Sequence, residues 1–143
     1  MGYQPPKRKK WNKSARERIK QRFGGRCAYC GCELGSRFAI DHHYPIGVYG
    51  ERADVEDNLF PSCIQCNHYK GECSIESMRR LILRTFDNLV NKSLTGRIAA
   101  AYGLLTKPSS IRFWFENYAI KKPDFIIDME REVQSHKEEG QEK

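Results

Sequence analysis

The sequence lacks any apolar run near the roughly 20 residues that a membrane-spanning helix needs, and its mean hydropathy is −0.72. An integral membrane protein is therefore not expected. Behind the positively charged start MGYQPPKRKKWNK there is no apolar segment of the kind a secretory signal carries. The expectation is a cytoplasmic protein of a bacterial or phage-infected cell. No internal repeat is present, and 143 residues leave room for one domain with short appendages but hardly for two. Acids are scarce at the N-terminal end, where residues 1–26 hold one against ten Lys and Arg.

What is present begins with charge. The net charge is +7 and 30% of residues are charged. Residues 27–74 carry a balance of −4, residues 75–122 one of +6, and residues 123–143 one of −4. A basic arm, an acidic centre, a basic helical region and an acidic tail follow one another. Apolar residues at 39% suffice for a modest core. Six cysteines in a chain with no expected secretory signal read as metal ligands more naturally than as three disulfides.

The organisation expected is α+β, a small zinc-stapled core with flanking helices. Residues 1–13 read as a flexible basic arm, 14–80 as the core, 81–130 as a mainly helical extension, and 131–143 as a flexible acidic tail. Ser14 and Glu17 fit a capping box that starts a helix ending near Phe23, before Gly24-Gly25. A strand is expected at 37–40, a Gly-rich loop from Ile46 to Asp57, and a second short strand at 58–61. A helical turn follows at 63–70. The 3-4-4-3 spacing of Ile75, Met78, Ile82, Phe86 and Leu89 predicts a longer helix from Ser74. A further helix is predicted at 94–105, closely packed through Ala99, Ala100 and Ala101, and a strand at 111–115.

The strongest chemical signal is Cys27-x2-Cys30 with Cys63-x2-Cys66, separated by 32 residues. Two residues between cysteines let both thiolates reach one ion, and four such sulfurs make a closed, structural Zn²⁺ site. Cys32 and Cys73 are expected to be bystanders. A closed site leaves no position for catalysis, so a second, harder site is sought between the knuckles. Asp41 offers an oxygen ligand for Mg²⁺ or Mn²⁺, and Asn67 a second through its amide carbonyl. His42 projects to the other side of the strand from Asp41, where a neutral imidazole can serve as a base beside the ion.

At Cys27-Ala-Tyr-Cys30, Ile40-Asp41-His42-His43-Tyr44-Pro45, Asp57-Asn58-Leu59 and Cys63-Ile-Gln-Cys66-Asn67-His68-Tyr69-Lys70-Gly71 the chain resembles the HNH (ββα-metal) endonucleases. The resemblance covers about residues 14–80. It implies that His42 is the general base, that Asn58 orients it, and that Asp41 and Asn67 hold one catalytic divalent ion. Many members have histidine at the last ligand position, and Asn67 resembles the variant of endonuclease VII-like enzymes. The reaction implied is hydrolysis of DNA phosphodiesters to 5′-phosphate and 3′-hydroxyl ends, by nicking or double-strand cleavage, in a phage, mobile-element or restriction setting. His43 is expected to be a strand residue.

Lys7, Arg8, Lys9 and Lys10 in the arm, Arg16 and Lys20 on the first helix, and Lys70 are expected to contact DNA phosphates. Arg79 and Arg84 are read as further clamps. On this reading removal of residues 1–10 weakens DNA binding and leaves the chemistry at His42 intact. Residues 94–120 would form the interface of a homodimer, with a monomer as the other expectation. The competing readings are a non-catalytic zinc-containing nucleic-acid-binding module, which would not need Asp41, His42 and Asn67 together, and a protein-interaction module built on the C-terminal aromatics.

Overall fold

A computed structural model describes Gly2 and residues 4–141. Its elements in chain order are α1 (Lys13–Gln21), β1 (Ala39–His42), α2 (Ile46–Tyr49), β2 (Leu59–Ser62), α3 (Ile64–Lys70), α4 (Ile75–Lys92), α5 (Leu94–Ala101) and α6 (Asp124–Gln141). Short 3-10 turns stand at Glu51–Ala53, Glu56–Asn58 and Trp114–Asn117. The architecture is α+β. No helix among the described residues is long and apolar enough to cross a membrane.

β1 and β2 pair antiparallel, with Ala39 opposite Ser62, Ile40 opposite Pro61, Asp41 opposite Phe60 and His42 opposite Leu59. Pro61 is tolerated because a two-stranded ladder leaves one edge of each strand free of pairing. On that outer edge its carbonyl accepts from Ala28 N at 2.8 Å, which hangs the first cysteine knuckle on the sheet. The core gathers under the knuckle: Phe23, Tyr29, Phe60, Met78, Phe113 and Phe115 pack together with Cys27 and Ala28. Ala15 and Ile19 of α1 are buried as well, as the i, i+4 spacing with Phe23 requires.

Several local expectations are corrected. The N-cap of α1 is Asn12, whose side chain accepts from Ala15 N at 2.8 Å. Ser14 lies inside the first turn and takes a bond from Arg18 instead. Asn is as good a cap as Ser, and the earlier cap adds two residues, Lys13 and Ser14, to the helix. Gly24 and Gly25 do leave the helix at positive φ, 67° and 74°. The stretch from Ile46 to Asp57 is not plain loop but α2 followed by two 3-10 turns.

Residues 111–115 are extended but form no strand. Trp114 N and Phe115 N donate to the carbonyls of Tyr29 and Ala28, at 2.9 and 2.7 Å, so this segment is spent on the knuckle. The indole of Trp114 covers Gly31, where a Cβ would stand 2.9 Å from the ring and where φ is 77°. Glycine is required there on both counts. Where α4 meets α5, a Cβ on Gly96 would stand 2.1 Å from the Leu89 carbonyl oxygen, so the close approach requires glycine at that position. Along α4 the apolar stripe fades, from buried Met78 to Leu89 at 40% exposed. The acidic tail is helical as α6 through Gln141, and its start docks through Phe125 on Tyr44 and Tyr49.

Candidate functional site

The two knuckles meet. The sulfurs of Cys27, Cys30, Cys63 and Cys66 all lie within 4.8 Å of one another. Burial differs along the cluster, from Cys27 in the core to exposed Cys30. Hydrogen bonding from Cys66 pulls the Cys27 thiol down to about 4, while the same contact pushes Cys66 up. Four sulfurs this close share protons in that way unless a cation neutralises them, and Zn²⁺ is the ion whose ligand type and number they match. Cys32 and Cys73 stand outside the cluster, and burial with the neighbouring Cys30 pushes the Cys32 thiol up to about 12.

The alternation of β1 sends Asp41 and His42 to opposite faces. Asp41, His42 and Asn67 nevertheless line one cleft of about 170 Å³, together with Arg8, Ile40, Pro45, Ile46, Gly71 and Glu72. Tyr29, inside the first knuckle, donates its hydroxyl to Asp41 Oδ2. The Lys70 ammonium stands 3.0 Å from that same oxygen. Both contacts fall on Oδ2, and neither uses Oδ1. Burial raises the carboxyl of Asp41 above its ordinary range, opposed by Lys70 and Tyr29.

Asn58 is fully buried, and none of its side-chain hydrogen bonds goes to an imidazole. Its amide nitrogen donates to the carbonyls of Tyr44 and Ala53, at 2.9 and 2.8 Å, and its oxygen accepts from Tyr44 N at 2.9 Å. It clamps the turn after β1 to the turn before β2. Through Ala53 it fixes the next residue, Asp54, whose Oδ1 lies 3.0 Å from His42 Nε2. His43 stacks on Phe60 at 4.3 Å, and burial pushes its imidazole down to about 4.

Of the residues expected to reach DNA, Lys70 does not. It is 2% exposed, its ammonium held between Asp41 and the His42 carbonyl, so it cannot meet a phosphate. Arg79 is likewise no free clamp, since it binds Glu116 at 2.7 Å and lies over the Phe113 ring. Arg16 and Lys20 flank the Phe38 ring and bond the carbonyls of Phe38 and Gly35. Lys7, Arg8, Lys9 and Lys10 are exposed.

The arm, however, is not free. Arg8 pairs with Glu72, Lys9 N donates to Asp54 Oδ2, and Trp11 Nε1 donates to Asp54 Oδ1 at 3.2 Å. Tyr29, Asp54 and Trp11 are the site residues that sequence reasoning missed. A tyrosine held between two metal-ligand cysteines is a usable signal for the first. Nothing distinguishes Asp54 from Glu51, Glu56 and Asp57 around it.

No curated protein and no solved structure matches the chain. Residues 27–72 match the family model described as HNH endonuclease. That span takes in both knuckles, both strands and the whole of α3, and over this part of its length the chain is similar to HNH endonucleases.

Proposed function

We propose that the chain is a metal-dependent DNA endonuclease in which His42 is the general base and Asp41 and Asn67 hold one divalent ion. The observation that carries this reading is the meeting of a carboxylate, an imidazole and an amide from β1 and α3 in one cleft. A binding module has no use for that combination. When bound, Mg²⁺ or Mn²⁺ would neutralise charge developing on the phosphate and the leaving oxygen.

The protein's own groups do the rest. His42 accepts a proton from the attacking water. Tyr29 and Lys70 hold Asp41 through Oδ2, so its other oxygen is presented in a fixed direction. Asn58 keeps the two turns flanking the strands in place. Arg8, Lys9, Lys10, Trp11 and Arg16 line a hollow of about 460 Å³ that also touches His42, which puts phosphate-binding cations beside the base. DNA held there would lose affinity with salt, because releasing its counterions into a more concentrated solution gains less entropy.

Supercoiled plasmid incubated with Mg²⁺ or Mn²⁺ tests the proposal. Conversion to open-circular or linear DNA, with 5′-phosphate ends and inhibition by a chelator, is the expected result. Salt-dependent binding with no scission under either ion would favour the non-catalytic zinc module.

A further inference from the structure

We infer that Asp54 is the positioning residue of His42, and that Lys9 and Trp11 of the N-terminal arm complete its setting. The inference rests on the reading of His42 as the base. Asp54 is 1% exposed and follows the 3-10 turn Glu51–Ala53, whose last carbonyl is held by Asn58. Its carboxylate is used on both sides. Oδ1 faces His42 Nε2 at 3.0 Å and accepts from Trp11 Nε1 at 3.2 Å, while Oδ2 accepts from Lys9 N.

Burial alone would push such a carboxyl up, but these donors outweigh it and hold Asp54 below its ordinary value. An ionised carboxylate only accepts hydrogen bonds. The Nε2 that faces it must therefore carry the proton of neutral His42, and the lone pair falls on Nδ1. No other group among the described residues bonds that ring, so Asp54 alone selects the tautomer and fixes the ring plane. A base whose lone pair points the wrong way is no base.

The arm then has two duties. Its cations line the hollow beside His42, and its Lys9 amide and Trp11 indole hold the carboxylate that aims the imidazole. Removing residues 1–10 would strip one of the donors from Asp54. On this inference, loss of the arm would affect the chemistry at His42 as well as DNA binding.

Three proteins test the inference: wild type, Asp54→Asn and Trp11→Phe. Trp11→Phe keeps an aromatic side chain but removes the indole N–H together with the five-membered ring that carries it. Plasmid cleavage with Mn²⁺ is followed at saturating DNA, and DNA affinity is measured separately without added divalent metal. Asp54→Asn should lower the maximal rate by about 10²-fold, and Trp11→Phe by roughly tenfold, with affinity and zinc content within twofold of wild type. Wild-type rates in both variants would overturn the inference.

Imidazole ¹⁵N–¹H spectra of the wild type, with His42 assigned by its loss in His42→Ala, give a reading independent of cleavage. The Nε2–H tautomer is expected, and an Nδ1–H tautomer would overturn the inference even if Asp54→Asn failed to fold. A wild type that cuts no DNA but shows the Nε2–H tautomer would refute the proposed activity and leave the positioning of His42 standing.

Discussion

The Lys70 ammonium lies 3.0 Å from Asp41 Oδ2, with the lysine side chain fully buried and that of Asp41 9% exposed. The same ammonium donates to the His42 carbonyl at 3.0 Å. One side chain at the end of α3 therefore holds both a carboxylate and a backbone group of β1. Removing one partner of a buried pair leaves the other charge unpaired, which costs more than the pair contributes.

Lys70→Met should accordingly destabilise the metal-free protein by about 3 kcal/mol. It should also tighten Mn²⁺ binding, because a cation that competes for Asp41 is gone. Urea unfolding measures the first effect and a calorimetric Mn²⁺ titration the second. Unchanged Mn²⁺ affinity would place the ion away from Asp41.

The Asn58 side chain makes three hydrogen bonds with no access to solvent. Asn58→Ala leaves the amide and carbonyl of Tyr44 and the carbonyl of Ala53 unpaired, and should cost about 3 kcal/mol. Asn58→Asp should do no better, since it turns a carboxylate toward two carbonyls that need donors. Thermal unfolding of both variants decides this. An Asp variant as stable as wild type would show that the two donated bonds contribute nothing.

The parts of this fold that were legible in the sequence are those fixed by short-range rules. Cys-x2-Cys spacing dictates a knuckle whatever surrounds it, and Asp41-His42 on a strand must face opposite ways. The helix from Ser74 announces itself by period, and Ser74 does cap it. The rest depends on distant partners. Lys70 reads as a surface lysine until a buried carboxylate is known to await it. Residues 111–115 alternate like a strand, yet the amides of Trp114 and Phe115 are taken by the carbonyls of Tyr29 and Ala28, more than 80 residues earlier. Asp54 lies 12 residues from His42 in a stretch without periodicity, and the arm reaches it across more than 40 residues.

If the four cysteines hold zinc, Cys63→Ser should abolish its binding and lower the melting temperature by about 10 °C or more, because metal binding to such a site is part of folding. Cys32→Ser, outside the cluster, should retain one zinc per chain. Metal analysis with thermal denaturation tests both. Full zinc occupancy in Cys63→Ser would contradict the four-cysteine site.

The Arg79–Glu116 pair gives a pH dependence. Arg79 donates to Glu116 Oε1 at 2.7 Å and Phe113 N to Oε2 at 2.6 Å, which holds the Glu116 carboxyl below its ordinary value despite partial burial. A lowered folded-state value means stability fully present above the unfolded value near 4.5. It is lost as pH falls through the lower, folded one. Glu116→Gln should thus be less stable than wild type at neutral pH, with the difference shrinking below about pH 4. Melting temperatures from pH 3 to 7 measure it, and a constant offset would exclude the ionic contribution.

The central claim is that this cleft hydrolyses DNA with His42 as its base. The most direct measurement is plasmid cleavage by wild type and His42→Ala with Mn²⁺, alongside zinc content, melting temperature and DNA affinity of each. Wild type should cut, and His42→Ala should lose cleavage by about 10²-fold or more while keeping zinc, fold and affinity. Cleavage by His42→Ala at the wild-type rate would contradict it.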